Sequence, residues 1–173
     1  MIKQHLYTRP MQVYFTRHFF LCLLAITSLI SQSALAGAEA NQIHGLWINS
    51  KDPGKQKFVV MVEDCGSNLC GSLYWLKKPL SASGQAKRDK HNPNEALRDR
   101  PLCGLQILTG FQHADVASWG GGEIYNPDDG LTFSSSMKLS PEGTLKIRGY
   151  VGISLFGKTL EWVRPTEEIT RCK

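Results

Sequence analysis

The polar residues best suited to chemistry in this 173-residue chain lie between positions 89 and 100. Four of them stand in a proline-stiffened segment: Asp89, Asn92, Arg98 and Arg100. The forked donors of arginine match a carboxylate or a phosphate, so we predict that this set binds the anionic head of a small ligand. The alternative is structural, with Asp89 and Asn92 in Asx turns and Arg98 paired with an acid to hold the loop in shape.

Two aromatic residues complete the predicted ligand-binding set. Trp119 precedes three glycines, and a large ring beside a flexible backbone suits the edge of an opening. Tyr125 lies at the end of a predicted strand. The glycines have a second explanation, because bulges and barrel corners use glycine where a strand bends sharply.

Patterns typical of metal binding or hydrolysis are not found in the sequence. His44, His91 and His113 lie too far apart to form an H-x-H or H-x-x-x-H pair. Ser134 to Ser136 falls within a predicted strand, without the strand-turn-helix elbow that a hydrolase serine requires. We therefore predict no metal, no cofactor and no catalytic residue.

Short segments of alternating apolar residues must position these side chains. A period of two, typical of β-strands, recurs in eight segments. These are Ile43–Trp47, Phe58–Val62, Gly71–Trp75, Leu105–Phe111, Gly122–Tyr125, Leu131–Leu139, Thr144–Ile153 and Lys158–Arg164. Turns rich in Pro, Gly, Asn and Asp separate most of them, which predicts an antiparallel meander. Closure removes exposed edges, so we predict an all-β, eight-stranded antiparallel barrel.

The strand pattern also predicts which large side chains point inward. They are Phe58, Val60, Val62, Leu73, Trp75, Ile107, Phe133, Met137, Ile147, Val151 and Trp162. These side chains either fill the barrel or line a pocket, and both possibilities stay open. The one long connection, residues 77–104, is predicted to be an ordered lid pinned by Cys103, since loops of this length in compact domains are usually functional or disordered.

The first 36 residues have the pattern of a secretory signal peptide. A basic start and the apolar run Phe19–Ile30 precede the small-x-small sequence Ala34-Leu35-Ala36. We predict cleavage after Ala36, with translation starting at Met1 or Met11, and one domain over residues 37–173. A transmembrane anchor is the alternative, but the apolar run is shorter than the ~20 residues that a spanning helix needs. The protein is thus expected in the periplasm or secreted.

Most of the net positive charge of the chain lies in this leader. The leader contains three of the 20 Lys and Arg residues and none of the 15 acids, which leaves 17 bases against 15 acids. No block of like charge follows, so we predict no nucleic-acid partner. We also expect no transmembrane segment after the leader, and a monomer.

Four cysteines follow the leader: Cys65, Cys70, Cys103 and Cys172. An even count in an oxidising compartment predicts two disulfides, with three possible pairings. Cys65 and Cys70 flank a tight turn, and opposed hairpin residues are close enough for a disulfide, so we prefer Cys65–Cys70 with Cys103–Cys172. A zinc site is the alternative, although the spacing lacks paired C-x-x-C knuckles.

Several short motifs occur together across residues 43–164. In order they are Gly45-Leu46-Trp47, Leu69-Cys70-Gly71, Trp75-Leu76-Lys77, the segment Asp89 to Pro93, Leu97-Arg98, the segment Pro101 to Leu105, the segment Gly121 to Tyr125, and Arg148-Gly149-Tyr150. This combination resembles the bacterial exported family known as domain of unknown function 2147. The resemblance implies no assigned activity, so no catalytic residue is carried over from it.

A looser similarity concerns Gly45, Trp47 and Arg164, which stand at opposite ends of the strand pattern. They resemble the Gly-x-Trp opening of lipocalins and the arginine of the last lipocalin strand. The resemblance implies that Arg164 stacks on the Trp47 ring and closes the bottom of the barrel, a structural role.

Together these observations predict an exported barrel that binds a small apolar or amphipathic molecule at its mouth. One alternative is a filled barrel that docks onto an envelope protein. A second alternative is an enzyme that uses Asp89 with Arg98 or Arg100 at a cleft, but we expect a binding protein rather than an enzyme.

Overall fold

Eight β-strands follow one another along the chain. They are β1 (Gly45–Ile48), β2 (Phe58–Cys65), β3 (Asn68–Leu76), β4 (Gln106–Asp115), β5 (Ser118–Asn126), β6 (Leu131–Leu139), β7 (Leu145–Tyr150) and β8 (Lys158–Trp162). Two single-turn 3-10 helices, Glu95–Leu97 and Ser154–Phe156, lie in the connections. This computed structural model describes residues 42–50, 52 and 54–173, so the predicted leader and its cleavage site lie outside the described residues.

The strands form one antiparallel sheet in sequence order. The last strand returns to the first through Ile48 and Val163, whose backbone N–H groups each donate to the carbonyl of the other, at 2.8 and 3.1 Å. The sheet is therefore a nearly closed barrel, which confirms the predicted fold. In the described part of the chain, no helix is long and apolar enough to cross a bilayer.

Because neighbouring strands run in opposite directions, the connections alternate between two ends of the barrel. We call the end that carries the β1–β2, β3–β4, β5–β6 and β7–β8 connections the open end. The other end carries the β2–β3, β4–β5 and β6–β7 turns, and we call it the closed end. The start of β1 and the residues after β8 also lie at the closed end.

The closed end is filled with side chains. Trp47, Phe111, Trp119, Met137 and Leu145 are all buried there in one apolar cluster. These packed side chains occupy the interior of this half of the barrel.

Arg164 covers the closed end. Its guanidinium carbon lies 3.8 Å from the centroid of the Trp47 ring, the contact that the lipocalin resemblance implies. Arg164 also donates to the carbonyl oxygens of Leu46, at 3.0 Å, and of Gln42, while the Trp47 indole donates to the carbonyl of Ile43 at 2.7 Å. Burial lowers the pKa of Arg164 from its usual value, but a guanidinium stays charged in proteins.

The predicted strand pattern is wrong in two places. Trp75 lies outside the core because β3 contains a bulge: Val60 pairs with Leu73 and Val59 with Trp75, so one extra residue reverses the alternation. β7 ends at Tyr150, short of the predicted end at Ile153, so Val151 lies beyond the sheet and is 77% exposed.

The glycines after Trp119 lie inside β5, which is longer than the predicted strand. The register shifts between Trp119 and Gly122, so the run of glycines forms a bulge. A side chain at Gly122 would place its Cβ only 2.4 Å from the Phe111 ring. The structural explanation of these glycines is therefore correct, and they bring β4 and β5 together over the core.

The predicted pairing of the cysteines is confirmed. Cys65–Cys70 and Cys103–Cys172 are both disulfides, each with a Cα–Cα distance of 5.8 Å. Cys65 pairs with Asn68 across the β2–β3 turn, so the first bridge joins diagonal rather than opposed residues. The second bridge spans 69 residues, and closing a loop of that length contributes about 4 kcal/mol to stability by the chain-entropy relation.

Candidate functional site

A cavity of about 1020 Å³ opens at the open end of the barrel. Its volume is at the upper limit of the 300–1,000 Å³ that is usual for small-molecule sites. The wall is apolar and includes Leu76, Ile107, Ile124 and Phe133. Leu73 and Trp162, both buried, also line it. The barrel is thus filled in one half and hollow in the other.

Five lysines line the cavity: Lys57, Lys77, Lys78, Lys87 and Lys158. Lys57 directly precedes β2, Lys77 and Lys78 directly follow β3, and Lys158 begins β8, so each stands where a strand meets the open end. Lys77 donates to the carbonyl oxygen of Gly54 at 2.7 Å. Within the described residues, none of the five is joined to a carboxylate by an ion pair.

Two acids, Asp128 and Asp129, also line the cavity. Asp129 accepts hydrogen bonds from the Asn126 side chain at 2.8 Å and from the backbone N–H of Leu131 at 2.9 Å, so it serves the β5–β6 turn. With five lysines against two aspartates, the lining has a positive balance. A positive opening above an apolar wall favours a ligand with a negative head and an apolar body.

The β3–β4 connection is built around a fully buried carboxylate, that of Asp89. The Tyr125 hydroxyl donates to its Oδ1 at 2.6 Å. Its Oδ2 accepts from Asn92 at 2.9 Å and from Nε and Nη2 of Arg100 at 3.0 and 2.9 Å. A buried charge needs this degree of pairing to be tolerated, so Asp89 holds the connection against β5.

Tyr125 links this network to the cavity, because it also lines the cavity wall. Burial raises the pKa of Tyr125 above its usual value, and the hydrogen bond to Asp89 and the charge of that carboxylate raise it further. The hydroxyl therefore stays protonated as a donor over the physiological pH range.

Arg98 is engaged within the same connection. Its Nε donates to the carbonyl oxygen of Asn92 at 2.8 Å, and its Nη1 lies 3.1 Å from the Glu95 carboxylate. The Asn92 side chain accepts from the backbone N–H of Asn94, and Asn94 in turn caps the 3-10 helix that begins at Glu95. The turn at Asn92 and the arginine–acid pair agree with the structural alternative. At Asp89 the carboxylate bonds to the side chains of Tyr125, Asn92 and Arg100, in place of the Asx turn that this alternative assigned to it.

The structure separates the six predicted ligand-binding residues. It brings four of them together in one network, Asp89, Asn92, Arg100 and Tyr125, with Arg98 beside it. Trp119 lies in the core, with its ring 5.9 Å from that of His113. Of the six, only Tyr125 lines the cavity.

The β3–β4 connection also rests on the β5–β6 turn. Gly130 has φ +76°, and a Cβ added there would lie 2.0 Å from the carbonyl oxygen of His91. Only glycine allows the two backbones to approach so closely. The connection is therefore ordered by backbone contact as well as by the Asp89 network, and it supplies Lys77, Lys87 and Leu102 to the cavity lining.

The chain is similar to known proteins both in sequence and in fold. Residues 45–164 match the profile of a family described as "uncharacterized protein conserved in bacteria", DUF2147. The chain belongs to this family. The match confirms the resemblance inferred from the motifs.

Among solved structures, the chain is similar to one titled "Protein HP1028 from the human pathogen Helicobacter pylori belongs to the lipocalin family". The TM-score is 0.61 at 25% sequence identity, over 72% of this chain and 84% of the other. The similarity supports a lipocalin-like fold, which is compatible with the binding of a small ligand. The comparison with curated proteins gives no match.

Sequence reasoning missed the lysines because they are scattered over different connections and form no motif. The signal that would have found them is strand direction. In an antiparallel meander, the start of each even strand and the end of each odd strand meet at one end, which places Lys57, Lys77 and Lys158 together.

Proposed function

We propose that the protein binds a small amphipathic molecule, with the apolar part in the barrel cavity and an anionic head at the lysines. The observation that carries this proposal is the position of Lys57, Lys77, Lys78, Lys87 and Lys158 around an apolar cavity. Arg98 and Arg100, the residues first predicted to bind the head, are bonded within the β3–β4 connection instead.

The apolar part of the ligand supplies most of the affinity in this proposal. Removing apolar surface from water contributes about 25 cal/mol per Å². An exposed pair between a lysine and an anion contributes only about 0–1 kcal/mol, so the lysines mainly orient the head and select its charge.

Export to the periplasm or beyond is part of the same proposal. The two disulfides support it, because disulfides persist in oxidising compartments and are rare in the cytosol. The sequence of the first 36 residues supports it as well.

Binding of a fluorescent long-chain fatty acid to the delipidated protein tests the proposed function. We expect saturable binding with one site per chain, displaced by the unlabelled fatty acid and about tenfold less well by the alcohol of equal chain length, a difference of about 1.4 kcal/mol. No binding of either compound would overturn the proposal. Equal displacement by acid and alcohol would remove the lysines from it.

A pair of double variants tests the role of the lysines directly. Lys57→Gln with Lys158→Gln removes two charges from the open end and should weaken fatty-acid binding about tenfold, or about 1.4 kcal/mol. The matched control is Lys138→Gln with Lys146→Gln. These two exposed lysines face each other on the neighbouring strands β6 and β7 and lie outside the cavity lining. The control should bind like the unaltered protein.

A further inference from the structure

The β7–β8 connection displays a cluster of large apolar side chains to solvent. Val151 is 77% exposed, Ile153 59%, Leu155 73% and Phe156 81%. Monomeric soluble proteins rarely expose several large apolar side chains side by side, and such patches usually mark interaction surfaces. We call Val151, Ile153, Leu155 and Phe156 the apolar tip.

The apolar tip is held in place by the fold. Arg148 on β7 donates through Nε to the carbonyl oxygen of Ser154 at 2.6 Å and through Nη2 to that of Leu155 at 2.9 Å. Its Nη1 donates to the Thr159 hydroxyl at 2.9 Å. One guanidinium thus ties the middle of the connection and β8 to β7, so the exposure of the apolar tip is built into the structure.

Close backbone packing supports the same conclusion. A Cβ added at Gly157 would lie 2.6 Å from the carbonyl oxygen of Gly149 and 2.9 Å from the Cβ of Tyr150. The connection therefore folds tightly against β7, and the side chains of Leu155 and Phe156 remain outside.

Exposed apolar residues are strongly biased to one end of the barrel. In the described part of the chain, eight large apolar side chains are exposed, and seven of them lie at the open end. Three of the seven lie outside the apolar tip: Leu80, Leu97 and Leu131. The one at the closed end is Val116, in the β4–β5 turn.

The apolar tip and the lysines share the same opening. Val151 and Phe156 line the cavity together with Lys57, Lys87 and Lys158. An apolar projection beside a lysine-rich opening matches the surface of an anionic bilayer, where apolar side chains enter the headgroup boundary and each lysine gains from the negative surface potential. A protein groove would satisfy the apolar residues but would not explain the positive balance of the opening, which has five lysines against two aspartates.

We propose that the open end of the barrel docks on the surface of an anionic phospholipid bilayer, with Leu155 and Phe156 at the headgroup boundary and the lysines against the lipid phosphates. Docked in this way, the cavity opens toward the lipid phase. The docking itself does not require a ligand in the cavity, so it stands or falls apart from the proposed function.

Co-sedimentation of the purified protein with vesicles tests the docking. We expect binding to vesicles of phosphatidylglycerol and phosphatidylethanolamine, at least about tenfold weaker binding to vesicles of phosphatidylcholine, and a loss of binding as salt is raised. The double variant Leu155→Ser with Phe156→Ser should bind the anionic vesicles about tenfold less well. Val116→Ser, an equally exposed change at the closed end, should bind like the unaltered protein.

Two results would overturn the docking: no binding to the anionic vesicles, or binding that the double variant at the apolar tip retains in full. In the first case a protein partner would be the occupant to seek. Circular dichroism of the same double variant checks its folding. In the unaltered protein, intact fatty-acid binding without vesicle binding refutes the docking alone, whereas vesicle binding without fatty-acid binding refutes the proposed function alone.

Discussion

At the closed end of the barrel, Arg164 lies over the Trp47 ring and donates to the carbonyl of Leu46. At the open end, five lysines line a cavity, and Lys77 is the one for which the described residues show a hydrogen bond from its side chain, to Gly54. The two sets of positive charge therefore differ in use. Arg164 at the closed end holds the fold together, whereas the lysines that line the cavity are available to a partner.

The same contrast holds for the apolar residues. The closed half packs Trp47, Phe111 and Trp119 into a solid core, while the open half leaves a cavity and an exposed apolar tip. We infer that the packed core of the closed end contributes most to stability, whereas the cavity and the apolar tip of the open end determine binding. Changes in the closed core and changes at the cavity or the apolar tip should accordingly affect different measurements.

The largest expected effect is that of Trp47→Ala. Loss of the ring leaves a cavity in the core and removes the stacking partner of Arg164, so the free energy of unfolding should fall by about 4 kcal/mol. Urea denaturation measures the change. The control is Phe156→Ala at the open end, which removes an exposed ring and should change stability by less than about 0.5 kcal/mol. Equal effects of the two substitutions would break the contrast between the ends.

Asp89→Asn should have the next largest effect. The substitution leaves Arg100 without its carboxylate partner, and breaking a buried pair costs about 3–5 kcal/mol. We expect the lower limit, about 3 kcal/mol, because the Arg100 side chain is 39% exposed. Limited proteolysis should show earlier cleavage within residues 77–105.

The control for this prediction lies in the same connection. Asp99→Asn removes an almost fully exposed carboxylate that lies 3.8 Å from Arg88, and it should leave both stability and proteolysis unchanged. If Asp89→Asn behaved like Asp99→Asn, the Asp89 network would not hold the connection.

Gly130→Ala tests the close backbone contact between the β5–β6 turn and the β3–β4 connection. Gly130 and Gly143 have φ values of +76° and +79°, but a Cβ at Gly130 meets the carbonyl oxygen of His91, whereas one at Gly143 meets nothing within 4 Å. Gly143→Ala should cost about 1 kcal/mol from the left-handed conformation alone, and Gly130→Ala at least about 2 kcal/mol. Thermal unfolding measures both. Equal losses would show that the β3–β4 connection does not rest on the β5–β6 turn.

The smallest effect concerns the pH dependence of stability. Burial and Asp89 raise the pKa of Tyr125 above 10.0 in the folded protein, so the unfolded chain releases this proton first as pH rises. The stabilisation that the raised pKa of Tyr125 contributes is complete below a pH of about 10, and it is lost as the pH rises further and the folded protein also releases the proton. Between pH about 8 and about 11, the free energy of unfolding should fall more in the unaltered protein than in Tyr125→Phe. Parallel pH profiles would contradict the assignment.

Much of the closed end could be predicted from the sequence, because the apolar alternation that indicates it lies within single strands. The alternation of Leu145 and Ile147 with polar residues predicts β7, and β8 is predicted the same way. The prediction placed Trp75 on the wrong face of β3 because a single extra residue reverses the alternation, and the local sequence pattern does not indicate that bulge.

The open end was much less predictable, because its features join residues that are distant in sequence. The Asp89 carboxylate accepts a hydrogen bond from Tyr125, which lies 36 residues further along the chain. The sequence alone therefore does not indicate the structural role of Asp89. The lysines likewise come from three distant parts of the chain: the residue before β2, the β3–β4 connection and the start of β8. The sequence predicted a cavity at this end only as one of two possibilities, and three-dimensional packing decided between them.

The most direct test of the account is to fill the cavity and measure fatty-acid binding. Ile124→Trp places an indole in the cavity wall, while Val116→Trp adds the same ring at an exposed position of the closed end. Circular dichroism first shows that both variants are folded. We predict that Ile124→Trp lowers the affinity for the fluorescent fatty acid at least about tenfold, or about 1.4 kcal/mol. Val116→Trp should leave this affinity unchanged. Unaltered affinity in Ile124→Trp would contradict binding inside the barrel.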